Sequence, residues 1–449
     1  MDIFLILPNQ LFEESILHIK KNKYNKIIIY EDPHYFSSEI KPNKIKIAYL
    51  RACMKYYYDN MLKEGINNIY YYECCNNNKE IFNSIDNYYC YEITDYKLLN
   101  KYKKINLKIF EIETPMFILN KKDLDVYNNK TSISHSSIYK LSKNKLKILE
   151  NVENKDIYNR SNPKIEVPLN TTINYINKYN KEYYEEAIKY SNKYLFNNHI
   201  GNPTLDHLKI YPINSKNAYE AYENYIKYNI NNFGLYQDVI QENNPFMYHS
   251  IISPMLNNGL IVPLTLINII KKYEYNIPIN SYEGFIRQII GWREYMRYLY
   301  IYKYEEIINS NTFNNNKKLN NNWYSATTGL SIIDNEIKKA ITYGYSHHIV
   351  RLMIFLNFMI LNEIRPQDIY KWFMEIISID AYDWVMVSNI YVMGYFSKIG
   401  MRRPYLSSSN YLLKMSNYKK DNKWNIIWDN SYKKYVKDKK ISFYLRTIK

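Results

Sequence analysis

Four short β-rich runs in the first 115 residues, with helical stretches between them, constrain this chain more than any other feature. They read "IFLILP" (3–8), "KIIIYE" (26–31), "NIYYYE" (68–73) and "YYCYEI" (88–93), and "AYLRACMKYYYDNMLKEG" (48–65) is the clearest helix between them. Strands joined by crossover helices pair in parallel, so the expectation is a doubly wound, Rossmann-like parallel-sheet domain. Ligands on such sheets sit past the carboxyl ends of the strands. That directs attention to the loops "PNQLF" (8–12) and "EDPHYF" (31–36). No G-x-G-x-x-G is present, so the dinucleotide fingerprint is missing.

Beyond this region the pattern changes. Residues 121–215 are polar, rich in Asn, Lys and Ser and weakly periodic, which reads as a connector with some helix, such as "NKEYYEEAIKYSNKY" (180–194). From 216 onward helical periodicity dominates: "NAYEAYENYIKYNI", "PLTLINIIKKYEY", "YEGFIRQIIGWREYMRYLYIYKYEEII", "SIIDNEIKKAITYGY", "HHIVRLMIFLNFMILNEI" and "PQDIYKWFMEIIS". The expected organisation is an α/β domain over 1–120, a connector over 121–215 and an all-α domain over 216–449, and 449 residues suit two domains and a linker.

A formal charge of +16 suggests a polyanionic partner, nucleic acid first, although Lys inflation by a biased base composition gives the same number. The four cysteines, Cys53, Cys74, Cys75 and Cys90, all lie in the first fifth of the chain and form no C-x-x-C pair. A reducing compartment and no structural zinc are expected. No basic leader precedes the first apolar run, and no segment has the roughly 18 apolar residues that span a bilayer. The expectation is a soluble intracellular monomer without a signal peptide, in cytoplasm, nucleoid, nucleus or virion, wherever its partner is.

Four segments of the helical half combine residue types that carry chemistry. In "MYHSIISPMLNNGL", His249, Ser250 and Ser253 surround Pro254, an arrangement suited either to a helix cap or to a phosphate at a helix N-terminus. In "SYEGFIRQIIGWREYMRYLY", Arg287, Arg293 and Arg297 alternate with aromatic residues, which suits nucleic acid or simply a solvated basic face. In "YGYSHHIVRLMIFLNFMI", His347 and His348 open an apolar run containing Arg351, and a charge in such a helix requires an anionic partner. Adjacent histidines project about 100° apart on a helix and make poor co-ligands for one metal. In "IYKWFMEIISIDAYDWVMVSNIYVMGYF", Asp380 and Asp383 lie between apolar runs with Trp372 and Trp384, and Arg351 is a natural counter-ion.

Taken in order, "HSIISPMLNNGL", "GFIRQIIGWREYMR", "TTGLSIIDNEIKKAITYGYSHHIVRLM", "SIDAYDWVMVSN" and "RRPYLSSSNYLLKMSNY" resemble the photolyase/cryptochrome superfamily, specifically its prokaryotic (6-4) photolyase branch of iron–sulfur and photolyase-related proteins. The resemblance implies an N-terminal antenna domain, a helical FAD-binding domain and light-driven repair of UV-damaged DNA by electron transfer from reduced flavin. It implies cofactor contacts at His249, Ser250, Ser253, Arg293, Arg351, Asp380, Asp383 and Asn389, and electron transfer through Trp372, with Trp384 as an alternative relay. Arg287, Gln288, Trp292, Arg402 and Arg403 fall at DNA-facing positions, and Tyr405 and Tyr411 around the lesion pocket. His347 and His348 match the histidine pair of the (6-4) branch. Repair of that lesion returns a hydroxyl or amino group between bases and needs a proton donor, here His348 with His347 as its tuner.

The chain also departs from that pattern. It has no cysteine after Cys90, so no [4Fe-4S] cluster is expected, and Trp424 and Trp428 stand in the corresponding C-terminal region. Phe373 follows Trp372 where relatives can carry Tyr, and "MGYFSKIGMRRPY" replaces a more acidic, Gly-rich loop. A lumazine-type antenna chromophore would use Gln10, Glu31, Tyr35 and Phe36, with Asn9 where relatives often have an acidic residue. Competing readings are a cyclobutane-dimer photolyase, a cryptochrome-like photoreceptor, and a basic nucleic-acid binder without flavin.

Overall fold

The computed structural model describes residues 1–74, 81–127, 133–150, 152, 176, 180–401 and 403–441. Among these, five strands form one parallel sheet: β1 (Asp2–Ile6), β2 (Lys26–Tyr30), β3 (Ile69–Tyr72), β4 (Asn87–Tyr91) and β5 (Lys108–Ile112), in the order β3-β2-β1-β4-β5. The four sequence-read strands are all present with boundaries shifted by one or two residues. β5 was not legible because it is an edge strand whose Lys108, Phe110 and Glu111 are exposed, leaving no apolar run to read. The central strands are buried on both faces, from Phe4 and Leu5 to Ile27, Ile28 and Ile29. Because β1 pairs with both β2 and β4, the strand order reverses there. The crevice past their carboxyl ends, bordered by Asn9, Gln10 and Thr94, is where such sheets take ligands.

The helix Lys44–Lys63 begins four residues earlier than its periodicity suggests, because the Asn43 side chain caps it by accepting from the Ile45 N–H at 3.0 Å. Its first turn is inserted into the helical half. Asn43 N–H donates to the Glu375 carbonyl at 2.8 Å, and Asn43 Nδ2 to the Ile341 carbonyl at 2.8 Å. The region read as a connector contributes packing to both halves. Helix Lys181–Ser191 lies along Lys44–Lys63, and helix His135–Leu146 packs on residues Gln288–Trp292.

The remainder is helical from Ser215–Tyr228 to Trp424–Asp438. Two runs expected as continuous helices are interrupted by π-turns. The helix Ile279–Arg287 passes through a π-turn at Gln288–Trp292 into Arg293–Ile308, and His348–Val350 passes through one at Arg351–Leu356 into Asn357–Leu361. A third occupies Ser388–Met393. Among the described residues no helix is long and apolar enough to cross a membrane.

Candidate functional site

The three π-turns fall on three of the segments that carry the candidate chemistry. A π-turn widens the helix, shifts the side chains that follow and leaves backbone groups loosely paired, which is why such turns are frequent at functional sites. Here they precede Arg293, begin at Arg351 and contain Asn389.

Asp380 is the hub. Its Oδ2 accepts from Ser253 Oγ at 2.7 Å and from Arg351 Nη2 at 3.0 Å, and its backbone carbonyl accepts from Asn257 Nδ2 at 2.7 Å. Arg351 is held at its other end by the Ser346 carbonyl, which accepts from Nε at 2.5 Å. Arg293 extends the cluster, donating from Nη1 to Asn257 Oδ1 at 2.5 Å while its guanidinium lies 4.8 Å from the Trp384 ring centre and 5.0 Å from that of Phe117. Burial pulls Arg293 down to about 9. From the α/β domain the buried Lys46 amine reaches the same loop, donating to the Ala381 carbonyl and lying 4.1 Å over the Tyr382 ring. Burial pushes Lys46 down to about 7, with Asp380 opposing that shift.

Several buried polar atoms of this region have no hydrogen-bond partner in the protein: Asp380 Oδ1, Ser378 Oγ and Trp384 Nε1. Buried polar atoms are rarely left unsatisfied. A fixed cation, a fixed carboxylate and unpaired donors and acceptors together suit a planar polar ligand able to carry negative charge.

His347 is buried and His348 half-exposed. The two do not form an isolated pair, because His249 stacks on His347 with ring centres 4.7 Å apart and planes 15° apart. His348 meets both rings edge-on, at 5.4 Å and 6.5 Å, and its Nε2 lies 3.3 Å from Asp238 Oδ1. Burial, then the other histidines, holds His347 well below the ordinary imidazole range. Burial and then His348 push His249 down to about 3. His249 therefore stands with the histidines, while Ser253 points to Asp380; Ser250 lies partly exposed between them. Arg351 N–H donates to the His347 carbonyl at 3.2 Å, so the histidines and the ion pair belong to one helical turn.

Other expected residues are placed elsewhere. Asp383 does not join the Arg351 ion pair. Its carboxylate accepts from the hydroxyls of Tyr300, at 2.5 Å, and Tyr370, and lies 3.5 Å from Lys97 at the contact with the α/β domain. Burial and then Asp95 raise it. Arg287 is not a solvated basic residue: its helix is almost wholly buried, and it pairs with Glu283 at 3.3 Å. Gln288 Nε2 donates to the Gly284 carbonyl at 3.2 Å, Trp292 stacks on His135 at 4.2 Å, and Asn389 Nδ2 donates to Val385 O at 2.9 Å within its own helix. Arg403 and Tyr405 are exposed, Tyr411 is partly buried, and Arg402 lies outside the described residues.

Trp372 is fully buried and donates from Nε1 to the Trp323 carbonyl at 2.9 Å. Ring contacts continue from Trp372 to Trp323 (5.8 Å), Phe358 (6.4 Å), Trp428 (4.6 Å) and Trp424 (6.4 Å). Trp424 and Trp428 thus fill the C-terminal core. Among the described residues no group of three or more His, Cys, Asp or Glu side chains is placed to hold a metal.

In the α/β domain, Glu31 is committed to the protein. It accepts from Arg51 Nη1 at 2.9 Å, from the hydroxyls of Tyr71 and Tyr190 at 2.5 Å each, and from Cys74 N–H at 2.9 Å. Gln10 donates to the Tyr91 carbonyl at 2.7 Å and Asn9 to Thr94 Oγ1 at 3.3 Å, whereas Asn9 Oδ1, Gln10 Oε1 and the Tyr35 hydroxyl are buried without partners. Phe36 is buried packing. Sequence reasoning missed Asn257, Asp238, Ser346, Lys46 and Trp323, because an Asn or a Lys in a helix carries no signal until the fold gives it a partner.

Comparison with known proteins follows the same outline. A family model described as deoxyribodipyrimidine photo-lyase-related protein matches residues 4–206. A (6-4) photolyase of Agrobacterium fabrum is 38% identical over 191 residues, covering 42% of this chain but only 38% of that protein's length. A bacterial class III photolyase from Agrobacterium tumefaciens superposes with a TM-score of 0.61 at 14% identity, over 90% of this chain and 81% of that one. A cryptochrome from Synechocystis sp. PCC6803 superposes with a TM-score of 0.62 at 14% identity, over 97% and 89% of the two chains.

Proposed function

We propose that this chain belongs to the photolyase/cryptochrome superfamily and is a light-dependent DNA photolyase that uses FAD to repair pyrimidine dimers, (6-4) photoproducts first; the family-model match, the (6-4) photolyase relative and the shared fold support the reading. The carrying observation is the Arg351–Asp380 pair with the histidine cluster one helical turn away. FAD fits the residues present: Arg351 offers a fixed cation, Asp380 a buried carboxylate with one free oxygen, and Ser253 and Arg293 further polar groups of the same cluster. When bound, reduced and illuminated, FAD supplies the electron that opens the lesion.

The protein's own contribution is electrostatic and protonic. Arg351 favours the anionic form of whatever lies beside it, and Asp380, Ser253 and Ser346 keep the guanidinium from turning away. His348, open to solvent and beside Asp238, holds the proton that a (6-4) lesion requires. Arg403, Tyr405, Tyr411, Trp292 and Gln288, with Arg402 outside the described residues, are assigned to the DNA side. A damaged pair is flipped more cheaply than an intact one because its stacking is already lost. UV-damaged DNA is therefore the proposed partner. We assign no iron–sulfur cluster, and to a lumazine-type antenna we assign the free acceptors of Asn9 and Gln10 with Tyr35, but not Glu31.

The fold similarity to a cryptochrome favours a second reading, a blue-light receptor without repair activity. One experiment separates them: blue-light treatment of oligonucleotides carrying a single (6-4) photoproduct or a single cyclobutane dimer. Loss of the (6-4) lesion alone is expected. Loss of the cyclobutane dimer alone would reassign the substrate, and flavin photoreduction with no turnover of either lesion would favour the receptor. A His348→Ala variant should lose about 10²-fold or more of (6-4) repair while keeping its flavin absorbance.

A further inference from the structure

Resting on the repair reading above, we propose that His249 is a positioning residue of the acid site, whose ring covers His347 so that the proton of the cluster resides on His348 alone. Three observations carry this. The His249 ring lies parallel to His347 at 4.7 Å, so one face of the imidazole is closed by another aromatic ring and not by water. His347 is buried, and its Nδ1 has no hydrogen-bond partner that would hold a second proton. His348 is half-exposed, and it is the member beside a carboxylate, Asp238 at 3.3 Å.

The surrounding charges act in the same sense. His347 faces His249, His348, Lys339 from helix Ser331–Tyr343 and Arg351 from the π-turn, all cationic or able to become so. His249 faces His348 and Asp238. Protonating His347 would place a charge in a dry position among like charges, whereas protonating His348 places it at the surface next to an anion. His249 Nδ1 lies 3.1 Å from the Phe246 carbonyl, which fixes the covering ring in place. A sequence with two adjacent histidines leaves open which of them is the acid; the third ring, almost a hundred residues earlier in the chain, resolves the choice.

The test uses the flavin-loaded full-length protein with isotope-labelled histidine, titrated by NMR in the dark. In the native protein the His347 signals should stay constant from about pH 5 to pH 8. His249→Ala should uncover His347 and bring its titration into that window, a rise of at least about one pH unit, and should shift the pH profile of (6-4) repair. His249→Phe keeps the cover without the nitrogens and should restore the native titration. A native His347 that titrates like a free imidazole, or one that stays silent in His249→Ala, overturns the proposal. The native measurement decides even if the alanine variant does not fold. If the titrations follow the expectation but no lesion is repaired, the arrangement stands and the repair reading falls.

Discussion

Replacing Lys46 by Met gives a prediction whose size and sign follow from the structure. Lys46 is 2% exposed, and burial lowers it from 10.5 to about 7. At about 1.4 kcal/mol per pH unit, that gap of about 3.5 units corresponds to a penalty on the order of 5 kcal/mol for the charged amine. Below pH 7 the folded and unfolded chains both hold the proton, and the full penalty applies. Between pH 7 and 10.5 the unfolded chain holds a proton that the folded chain has released, so this lysine makes stability rise with pH across that window. Methionine keeps the stem's packing and removes the penalty, but strands the Ala381 carbonyl, at a cost of about 1–3 kcal/mol. Lys46→Met should therefore be more stable than the native protein at pH 6, by about 3 kcal/mol, with the advantage shrinking as pH rises. Urea unfolding of both proteins from pH 6.5 to 9.5 measures the difference, in which all other titrating groups cancel. It should change by about 3 kcal/mol across that range. Two curves that stay parallel would refute the reasoning.

Three further outcomes are expected. Asp380→Asn leaves the Arg351 guanidinium without its carboxylate, at a cost of about 3 kcal/mol, so flavin retention should fall by roughly a hundredfold in an equilibrium release assay. Trp428→Ala removes a fully buried indole that touches Phe358 and Trp424, and should cost about 3–5 kcal/mol, read as a lowered thermal midpoint. Anaerobically purified protein should carry no stoichiometric iron or acid-labile sulfide, since no cysteine follows Cys90; finding both would overturn the assignment.

Part of the candidate site was legible because charge and hydropathy clash within a short stretch. Arg351 in an apolar helix demanded an anion, and Asp380 between apolar runs demanded a cation; the fold joins the two at 3.0 Å. Asp383 obeys the same local logic, but two tyrosine hydroxyls and Lys97 satisfy it. Nothing within its own segment distinguishes it from Asp380. Arg287 shows the limit from the other side: alternation of basic and aromatic residues looks solvated until the helix proves buried on nearly every face and Glu283 appears one turn earlier.

By itself the sequence determined the parallel sheet, the helical second half and the residues able to hold charge, because periodicity and the cost of burying an unpaired charge act locally along the chain. Tertiary structure alone decided how those residues are shared out. It inserted the start of helix Lys44–Lys63 into the Asp380 loop, turned Glu31 inward onto Arg51, and laid His249 over His347. These are contacts between segments far apart in sequence, and they depend on where whole elements pack rather than on what any one of them contains.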